Sequence, residues 1–285
     1  MESLPYPLAL ALIFTSFFML YVAVRLLLWL KHRALLRRLK KADFPISYKE
    51  IVQKIPFYSR LAKSDQLMMH YCILRFINEK EFIGVQGLKI SDEMRVIISF
   101  YACLLLLRIK MPECYSNLST VLVYPYEFVS RHSRNEGGIS TRQSLALEGQ
   151  SSSDTVVISW HSAKNEAYHI YDQNVVLHEF AHELDFMSGE IDGVPPMAQS
   201  RYRRWTEVMY GEYKKLRKRS LKRGHLGKYT LIGEYAATNE AEFFAVASER
   251  FFETPQKLKK DFPELYAELK SFYKIDTASL FSKES

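Results

Sequence analysis

Two histidines and a glutamate at a fixed spacing are the residues of this sequence that could do chemistry. His178 and His182 are four positions apart, and Glu179 directly follows the first of them. On a helix, residues four apart lie on one face, so both imidazoles can bind the same metal ion. Glu179 can then reach a water molecule beside that ion and act as a general base. The pattern indicates one zinc ion per chain and hydrolysis of peptide bonds by a zinc-activated water.

The surroundings of this HExxH pattern decide how much weight it carries. The neighbouring residues on the other faces of the predicted helix are apolar, namely Val175, Val176, Leu177, Phe180, Ala181 and Leu184. The helix is therefore predicted to be buried, and polar side chains on a buried helix need partners. Asp185 fits the role of an acid that accepts a proton from a ligand imidazole. The alternative is a pair of hydrogen-bonded core histidines without a metal.

A catalytic zinc ion usually has three protein ligands and one open position. The other histidines considered are isolated in polar surroundings and fit surface or hydrogen-bonding roles, namely His161, His169 and His225. The segment 239–246 is a better source of the third ligand, because it offers two acids at the start of an apolar helix. Glu242 is followed by apolar residues, whereas Glu240 stands at the helix start, where a solvated capping role is adequate.

The elements that must position these residues predict a mixed fold. Helical periodicity follows Ser64 and Asp65, and Ser91 begins a second helix that is apolar almost all round and so buried. Short apolar runs predict strands at 82–88, 120–124, 144–148 and 155–160, with a loop at 131–141. Later helices are predicted from about Asn174, at 198–219, at 240–252 and at 263–273. Strands first and helices later around one core indicate an α+β fold.

The N-terminal segment has the pattern of a membrane anchor. No charged residue occurs from Leu4 to Val24, and 26–30 extends the apolar run. About 20 apolar residues cross a hydrocarbon core of roughly 30 Å. Positive charge follows the run, which argues against a cleaved signal peptide; a buried core hairpin is the other alternative. The predicted division is a transmembrane anchor at 6–30, a basic juxtamembrane connector at 31–56 and a peptidase domain at 57–275.

The net charge of +7 is a local feature of this N-terminal region. Seven basic residues precede Asp43, and without them the basic residues of the chain equal its acidic residues in number. The positive flank predicts a single pass through the cell (inner) membrane with the main domain on the cytoplasmic side. A second basic run, 214–223, is predicted to be a solvated helix face, with a membrane-facing or acidic-partner patch as the alternative. No pattern indicates nucleic-acid binding.

The three cysteines are widely spaced and odd in number, so no disulfide framework is predicted. The strand at 155–160 is predicted to form a sheet edge beside the cleft, where a peptide could add by backbone pairing. A plain internal strand is the alternative for that segment.

Several segments together resemble the glucose-regulated metallopeptidases, the family of Mlc titration factor A. The matching segments are His178-Glu179-x-x-His182-x-Leu184-Asp185, Gly193-Val194-Pro195, Tyr235-Ala236-Ala237, and Ala241-Glu242-x-Phe244-Ala245-Val246-x-Ser248-Glu249-x-Phe251-Phe252. Upstream, 121–125 and 156–160 fit the same pattern, so the resemblance extends from about Phe57 to Tyr273. It implies a zincin-like fold, a gluzincin-like third ligand at Glu242 rather than Glu240, an active-site role for Tyr235, and aminopeptidase character.

The sequence thus predicts a membrane-anchored zinc peptidase that acts on peptide or protein substrates. His178, His182 and Glu242 bind the metal, Glu179 is the general base and then the acid, and Tyr235 stabilises the oxyanion. Its other expected partners are the lipid bilayer, through the N-terminal helix, and a cytoplasmic regulatory protein. The alternative is a membrane-tethered regulatory binding protein of the repressor-sequestering type, in which the zinc site is mainly structural.

Overall fold

The computed structural model describes residues 6–109, 114–126, 154–170, 173–222 and 225–281. They belong to two compact units, Met1–Asp43 and Phe44–Ser285. The predicted loop at 131–141, the predicted strand at 144–148 and the basic residue Arg223 lie outside the described residues. The division at Phe44 was found from the fold, and the predicted bounds 6–30, 31–56 and 57–275 stay a prediction.

The first unit is dominated by one long helix, α1 (Tyr6–Lys41). Its part from Phe14 to Lys41 is long and apolar enough to cross a membrane, with a mean hydropathy of 1.5 in its most apolar window, and that window is not buried. Arg38, Lys40 and Lys41 occupy its last turn. The apolar N-terminal helix that the sequence predicts is therefore present.

The second unit combines helices with a small sheet. Its α-helices in the described residues are α2 (Ile46–Val52), α3 (Pro56–Arg60), α4 (Lys63–Glu79), α5 (Asp92–Leu106), α6 (Trp160–Ala167), α7 (Val175–Phe186), α8 (Gln199–Leu221), α9 (Glu240–Glu253), α10 (Pro255–Asp261), α11 (Pro263–Tyr273) and α12 (Thr277–Phe281). Single 3-10 turns occur at Gly227–Leu231 and Tyr235–Ala237. The strands are β1 (Glu81–Gly84), β2 (Thr120–Tyr124) and β3 (Thr155–Ser159).

The three strands are parallel and lie in the order β1-β2-β3. Val121 is paired with Phe82 on one side and with Val156 on the other. Because parallel strands point the same way, their carboxyl ends meet at one edge of the sheet, which here contains Tyr124 and Ser159. Within the described residues, β3 is an outer strand of this sheet. The carboxyl ends of β2 and β3 therefore lie side by side.

Helix α5 forms the centre of the core. The Ser91 hydroxyl caps it by accepting a hydrogen bond from the Met94 N–H at 3.3 Å. Residues on all sides of the helix are buried between Met94 and Leu105, with the exception of Arg95. This confirms the prediction that an all-round apolar helix is buried. Helix α4 packs against it, and so does α7, which carries the HExxH residues.

The bounds of most main elements follow the sequence patterns closely, but β1 (Glu81–Gly84) ends four residues before Leu88, the predicted end of its strand. The strands at 120–124 and 155–159, and the helices at 240–253 and 263–273, lie within one residue of their predicted bounds. Helix α4 begins at Lys63 with Ala62 as its N-cap, so Ser64 and Asp65 lie inside its first turn instead of capping it. The short helices α2, α3, α6 and α10 were not predicted. Two of them begin at a proline, which is favoured in the first turn of a helix.

Candidate metal centre

Helix α7 is fixed at its start by hydrogen bonds to its free N–H groups. Asn174 is the N-cap, and its side-chain oxygen accepts from the Leu177 N–H at 3.0 Å. Glu166 accepts from the Val175 N–H at 2.6 Å. The first N–H groups of a helix have no partner within the helix, so these bonds hold the helix end in place.

The apolar face of α7 fixes the helix in rotation. Phe180 lies between the two histidines in sequence and points into the core. Its ring packs edge-on against Tyr115 at a centroid distance of 5.1 Å and against Phe76 at 5.5 Å. Because Phe180 lies on the side of the helix away from His178 and His182, its burial turns both imidazoles toward the opposite side.

Helix α9 faces the two histidines and carries Glu242. Asn239 caps it, since its side-chain oxygen accepts from the Glu242 N–H at 2.8 Å. Every residue of α9 from Ala241 to Glu253 is buried, including its charged residues. A buried helix with charged residues requires a partner for each of them. Helices α7 and α9 pack directly against each other.

Three ligand atoms converge between these helices. Nε2 of His178 lies 3.1 Å from Oε2 of Glu242 and 3.3 Å from Nε2 of His182. Nε2 of His182 lies 3.3 Å from the same Glu242 oxygen. In a tetrahedral zinc site with bonds of about 2.0–2.1 Å, neighbouring ligand atoms are about 3.3–3.4 Å apart. The nitrogen and oxygen ligands and their separations therefore fit a zinc ion.

Glu249 orients His178 by bonding to Nδ1, the ring nitrogen that does not face Glu242 and His182. Nδ1–H of His178 donates to Oε1 of Glu249 at 2.6 Å, and both residues are buried. This bond leaves Nε2 of His178 free of a proton in the tautomer that binds a metal. The other oxygen of Glu249 accepts from the Asn174 N–H at 3.1 Å. The same acid thus connects the imidazole to the start of α7.

The charges of this centre shift the pKa values of its members. Burial alone would raise the pKa of Glu242, but the neighbouring His178 and His182 lower it well below its usual range. Burial would likewise lower the pKa of His178, yet Glu242 and Glu249 raise it well above its usual value. Glu242 is therefore an ionised carboxylate, which is the form that binds a metal ion.

Glu179 and Tyr235 lie on the walls of a cleft beside the three ligand atoms. The cleft has a volume of about 340 Å³, and His178 is among the residues that line it. The ring centroid of Tyr235 is 6.0 Å from that of His178. Burial, followed by the nearby Glu242, raises the pKa of the Tyr235 hydroxyl far above its usual range, so this group keeps its proton at neutral pH. All five predicted site residues are thus brought to one place.

The residues that line the cleft come from different parts of the fold. Strands β2 and β3 contribute Tyr124, Val157 and Ser159, and residues 232–235 contribute a second group. Helix α9 contributes Val246, Glu249 and Arg250, which we call the floor. Residues at i, i+3 and i+4 lie on one face of a helix, so these three side chains share a face of α9.

Asp185 has a different role from the one its position predicts. Its Oδ2 accepts from the Gly193 N–H at 2.7 Å, so it holds the loop that follows α7. Gly193 has a φ of 78°, and a Cβ atom there would lie 2.7 Å from the carbonyl oxygen of Glu240. Burial raises the pKa of Asp185 to about 7. The acid that accepts the proton of a ligand imidazole is Glu249, which the sequence reasoning did not single out.

The position of Glu249 could have been found in the sequence. It lies seven residues after Glu242, which is two helical turns, so both side chains lie on one face of α9.

The isolated histidines do not join the centre. His161 and His169 are exposed and hydrogen-bond to Asn165. Within the part of the chain that the structure describes, His178, His182 and Glu242 are the group that could hold a metal ion.

Comparison with known proteins gives a family match and several relatives. The model of a family described as glucose-regulated metallo-peptidase M90 matches residues 28–274. The uncharacterized protein slr2042 of Synechocystis sp. is 31% identical over 254 residues, which cover 87% of this chain and 90% of that protein. Mlc titration factor A of Serratia proteamaculans is 28% identical over 232 residues, covering 78% and 84%. Mlc titration factor A of Escherichia coli O127:H6 is 27% identical, covering 78% and 83%.

Proposed function

This chain belongs to the glucose-regulated metallopeptidase family M90, and from that premise we propose that it is a zinc-dependent peptidase with His178, His182 and Glu242 as the metal ligands. The observation that carries the proposal is the convergence of three ligand atoms 3.1–3.3 Å apart at the side of a cleft. A buried carboxylate on His178 adds the support that zinc-binding imidazoles usually have. The proposed fold is zincin-like, with α7 as the active-site helix.

Zinc, when bound by these ligands, would polarise the carbonyl of the scissile bond and lower the pKa of water. The other steps belong to side chains of this chain. Glu179 takes a proton from the attacking water and later gives it to the leaving amine. Tyr235 stays protonated at neutral pH, so it can donate a hydrogen bond to the carbonyl oxygen as negative charge develops there.

The substrate is an extended peptide that lies along β3. Val157 and Ser159 line the cleft, and β3 is an outer strand in the described residues. An outer strand offers unpaired backbone groups to an added strand. Removal of single residues from the N-terminus of the substrate, an aminopeptidase activity, stays a prediction from the sequence.

The test is Glu179→Gln, which keeps the size of the side chain and removes the base. The purified variant should bind about one zinc per chain and melt like the parent protein, while turnover of a peptide library falls to background. Glu207→Gln is the matched control, because Glu207 is exposed on α8 and should leave turnover unchanged. Turnover that survives Glu179→Gln would refute the mechanism.

A regulatory binding protein is the second candidate function. Several relatives carry the name Mlc titration factor A, which states that they act on Mlc. In this reading the chain binds a cytoplasmic regulatory protein, and the zinc site stabilises the fold. Glu179→Gln separates the two functions, because a binder keeps its partner in this variant whereas a peptidase loses turnover.

We also propose that α1 is a single-pass anchor in the cell membrane with the peptidase unit on the cytoplasmic side. The length and composition of the helix support this, and basic residues end it. The full chain should stay in the membrane fraction after a high-salt wash, and a chain that begins at Phe44 should not. Cysteine labelling from the outside should reach an engineered residue before Tyr6 but none after Asp43. Recovery of the full chain in the soluble fraction would refute the anchor.

A further inference from the structure

Arg250 is a buried cation in the floor of the cleft. Its side chain is 7% exposed and lines the cleft together with Val246, one helical turn before it on α9. Its Nε–H donates to the carbonyl oxygen of Leu231 at 2.6 Å. Its Nη1 is fully buried and has no hydrogen-bond acceptor among the described residues. One side of the guanidinium is thus anchored while another N–H-bearing nitrogen has no partner.

Such an arrangement is unfavourable unless an acceptor arrives. A buried guanidinium without a partner costs free energy, and buried arginines are normally paired or fully hydrogen-bonded. Other arginines of this chain are paired in this way, since Arg75 contacts Glu79 and Arg201 contacts Glu268. The planar fork of a guanidinium matches a carboxylate, which can accept two parallel hydrogen bonds from it.

We propose that Arg250 is a specificity-determining residue that binds a carboxylate group of the peptide substrate. This inference rests on the proposed peptidase function and names a substrate class for it. The Nε–H bond to Leu231 holds the guanidinium in the cleft floor, so its orientation is set before the substrate binds. A group that is oriented in advance loses little conformational entropy on binding.

The charges around Arg250 make this recognition specific to one position. The other charged residues that line the cleft are acids, namely Glu166, Glu179, Glu234 and Glu249. Glu249 bonds to His178 and Asn174, and Glu166 bonds to the Val175 N–H, so these two acids have partners elsewhere. A substrate carboxylate is repelled by these acids, and outside the proposed metal centre Arg250 is the basic residue among the described residues that line the cleft. This combination of repulsion and attraction fixes the register of the peptide.

The distance along α9 limits where that carboxylate can be. Arg250 lies eight residues after Glu242, which is about 12 Å along a helix that rises 1.5 Å per residue. An extended peptide covers about 3.3 Å per residue. The recognised carboxylate therefore lies within about four residues of the cleaved bond. It belongs either to an acidic side chain or to the C-terminus of a short peptide.

The test measures peptide binding to the full chain in its zinc-loaded Glu179→Gln form, by fluorescence anisotropy. The peptides have glutamate or glutamine at each position of an extended sequence of about eight residues, with a free or an amidated C-terminus. One position should bind the carboxylate form about 10- to 100-fold more tightly, as for a hydrogen bond to a charged group. If the tighter binding requires glutamate at one position, the recognised carboxylate belongs to a side chain. If it requires a free C-terminus, the recognised carboxylate is that of the chain end.

Arg250→Gln should reduce this ratio to about one, and Arg250→Lys, which keeps the charge but not the fork, should reduce it in part. Arg204→Gln is the matched control, because Arg204 is an exposed arginine that pairs with Glu264 on the surface. It should keep the full ratio.

Three results would overturn the proposal. The first is equal binding of both peptide forms by the Glu179→Gln protein with Arg250 intact, and the second is a full ratio in the Arg250 variants. A third is an equal loss of affinity for every peptide, which would mean that Arg250 only holds the Leu231 turn. Because binding is measured in a variant that cannot cleave, a parent that cleaves nothing but shows the Arg250-dependent ratio refutes the peptidase function and supports the carboxylate site.

Discussion

Glu249→Gln tests the metal centre through a residue that does not touch the metal. The carboxylate of Glu249 accepts two buried N–H groups, from His178 Nδ1 at 2.6 Å and from the Asn174 backbone at 3.1 Å. A glutamine has one acceptor oxygen and one NH2 group. Its NH2 group would face one of the two N–H groups, and two donors cannot form a hydrogen bond with each other. The variant keeps the shape of the side chain while it loses the charge and one hydrogen bond.

The expected effects can be given as magnitudes. Loss of such a supporting carboxylate typically weakens metal binding by about 10- to 100-fold, which is about 1.4–2.7 kcal/mol. The buried donor left without an acceptor should lower the free energy of unfolding by about 1–3 kcal/mol. The dissociation constant for zinc is measured by competition with a chromogenic chelator, and the unfolding free energy by urea denaturation of the metal-free protein.

Glu253→Gln provides the matched control. Glu253 lies one turn later on α9 and accepts from the Asn174 side chain at 3.1 Å, which a glutamine oxygen can still do. It has no contact with His178, so zinc affinity should change by less than about threefold. His178→Ala should abolish zinc binding. If it does, and Glu249→Gln binds zinc as tightly as the parent protein, then Glu249 does not support the metal centre.

Three other positions near the candidate metal centre can be tested by single substitutions. Tyr235→Phe should lower kcat by about 100-fold or more, because it removes the donor to the developing oxyanion, with little change in zinc affinity. Gly193→Ala should destabilise the protein by more than Gly189→Ala. Both glycines have positive φ, 78° and 102°, but only at Gly193 would the new Cβ lie 2.7 Å from a backbone oxygen; the strain common to both costs about 1–3 kcal/mol. The parent protein should lose stability as pH rises from about 4 to 7, because burial raises the pKa of Asp185 to about 7. Asp185→Asn should remove this loss.

The sign of the Asp185 effect follows from proton binding. Between pH 4 and 7 the folded state holds the proton of Asp185, whereas the unfolded chain has released it. Stability therefore declines as pH rises through this window, by up to about 4 kcal/mol for a shift of three pKa units. Urea denaturation of metal-free protein at several pH values measures this decline, and parallel stability curves for the parent and Asp185→Asn would contradict the raised pKa of Asp185.

For Tyr235→Phe, a raised KM with unchanged kcat would instead indicate a role in substrate binding only.

The helices and the histidine pair could be predicted from the sequence because their signals are local, whereas the choice of Glu242 over Glu240 came from the family resemblance. Ser91, Asn174 and Asn239 are short polar residues directly before apolar helices, and each one caps its helix. The spacing of His178 and His182 needs only the geometry of one helix. Helix α9 was predicted within one residue at its end for the same reason.

The remaining features depend on contacts between distant parts of the chain. The bond between His178 and Glu249 joins residues 71 positions apart, and no periodicity encodes it. The parallel register of the strands and the bond from Arg250 to Leu231 are of the same kind. Helices α2 and α3 are short and derive their stability from packing, so their own sequences give a weak signal.

Helix α9 contains several buried charged residues that contact the candidate metal centre or the start of α7. Glu242 is the proposed third ligand, Glu249 bonds to His178, and Glu253 bonds to the cap of α7, all on one buried helix. Charged residues in such a position are weak contributors to stability, because removing them from water costs about as much as their pairing returns. A helix chosen for stability alone would have apolar residues there. Among the described residues, Glu242, Glu249 and Glu253 have hydrogen-bond partners and Arg250 Nη1 has none, and this difference is why Arg250 is the residue of α9 to examine for contact with a substrate.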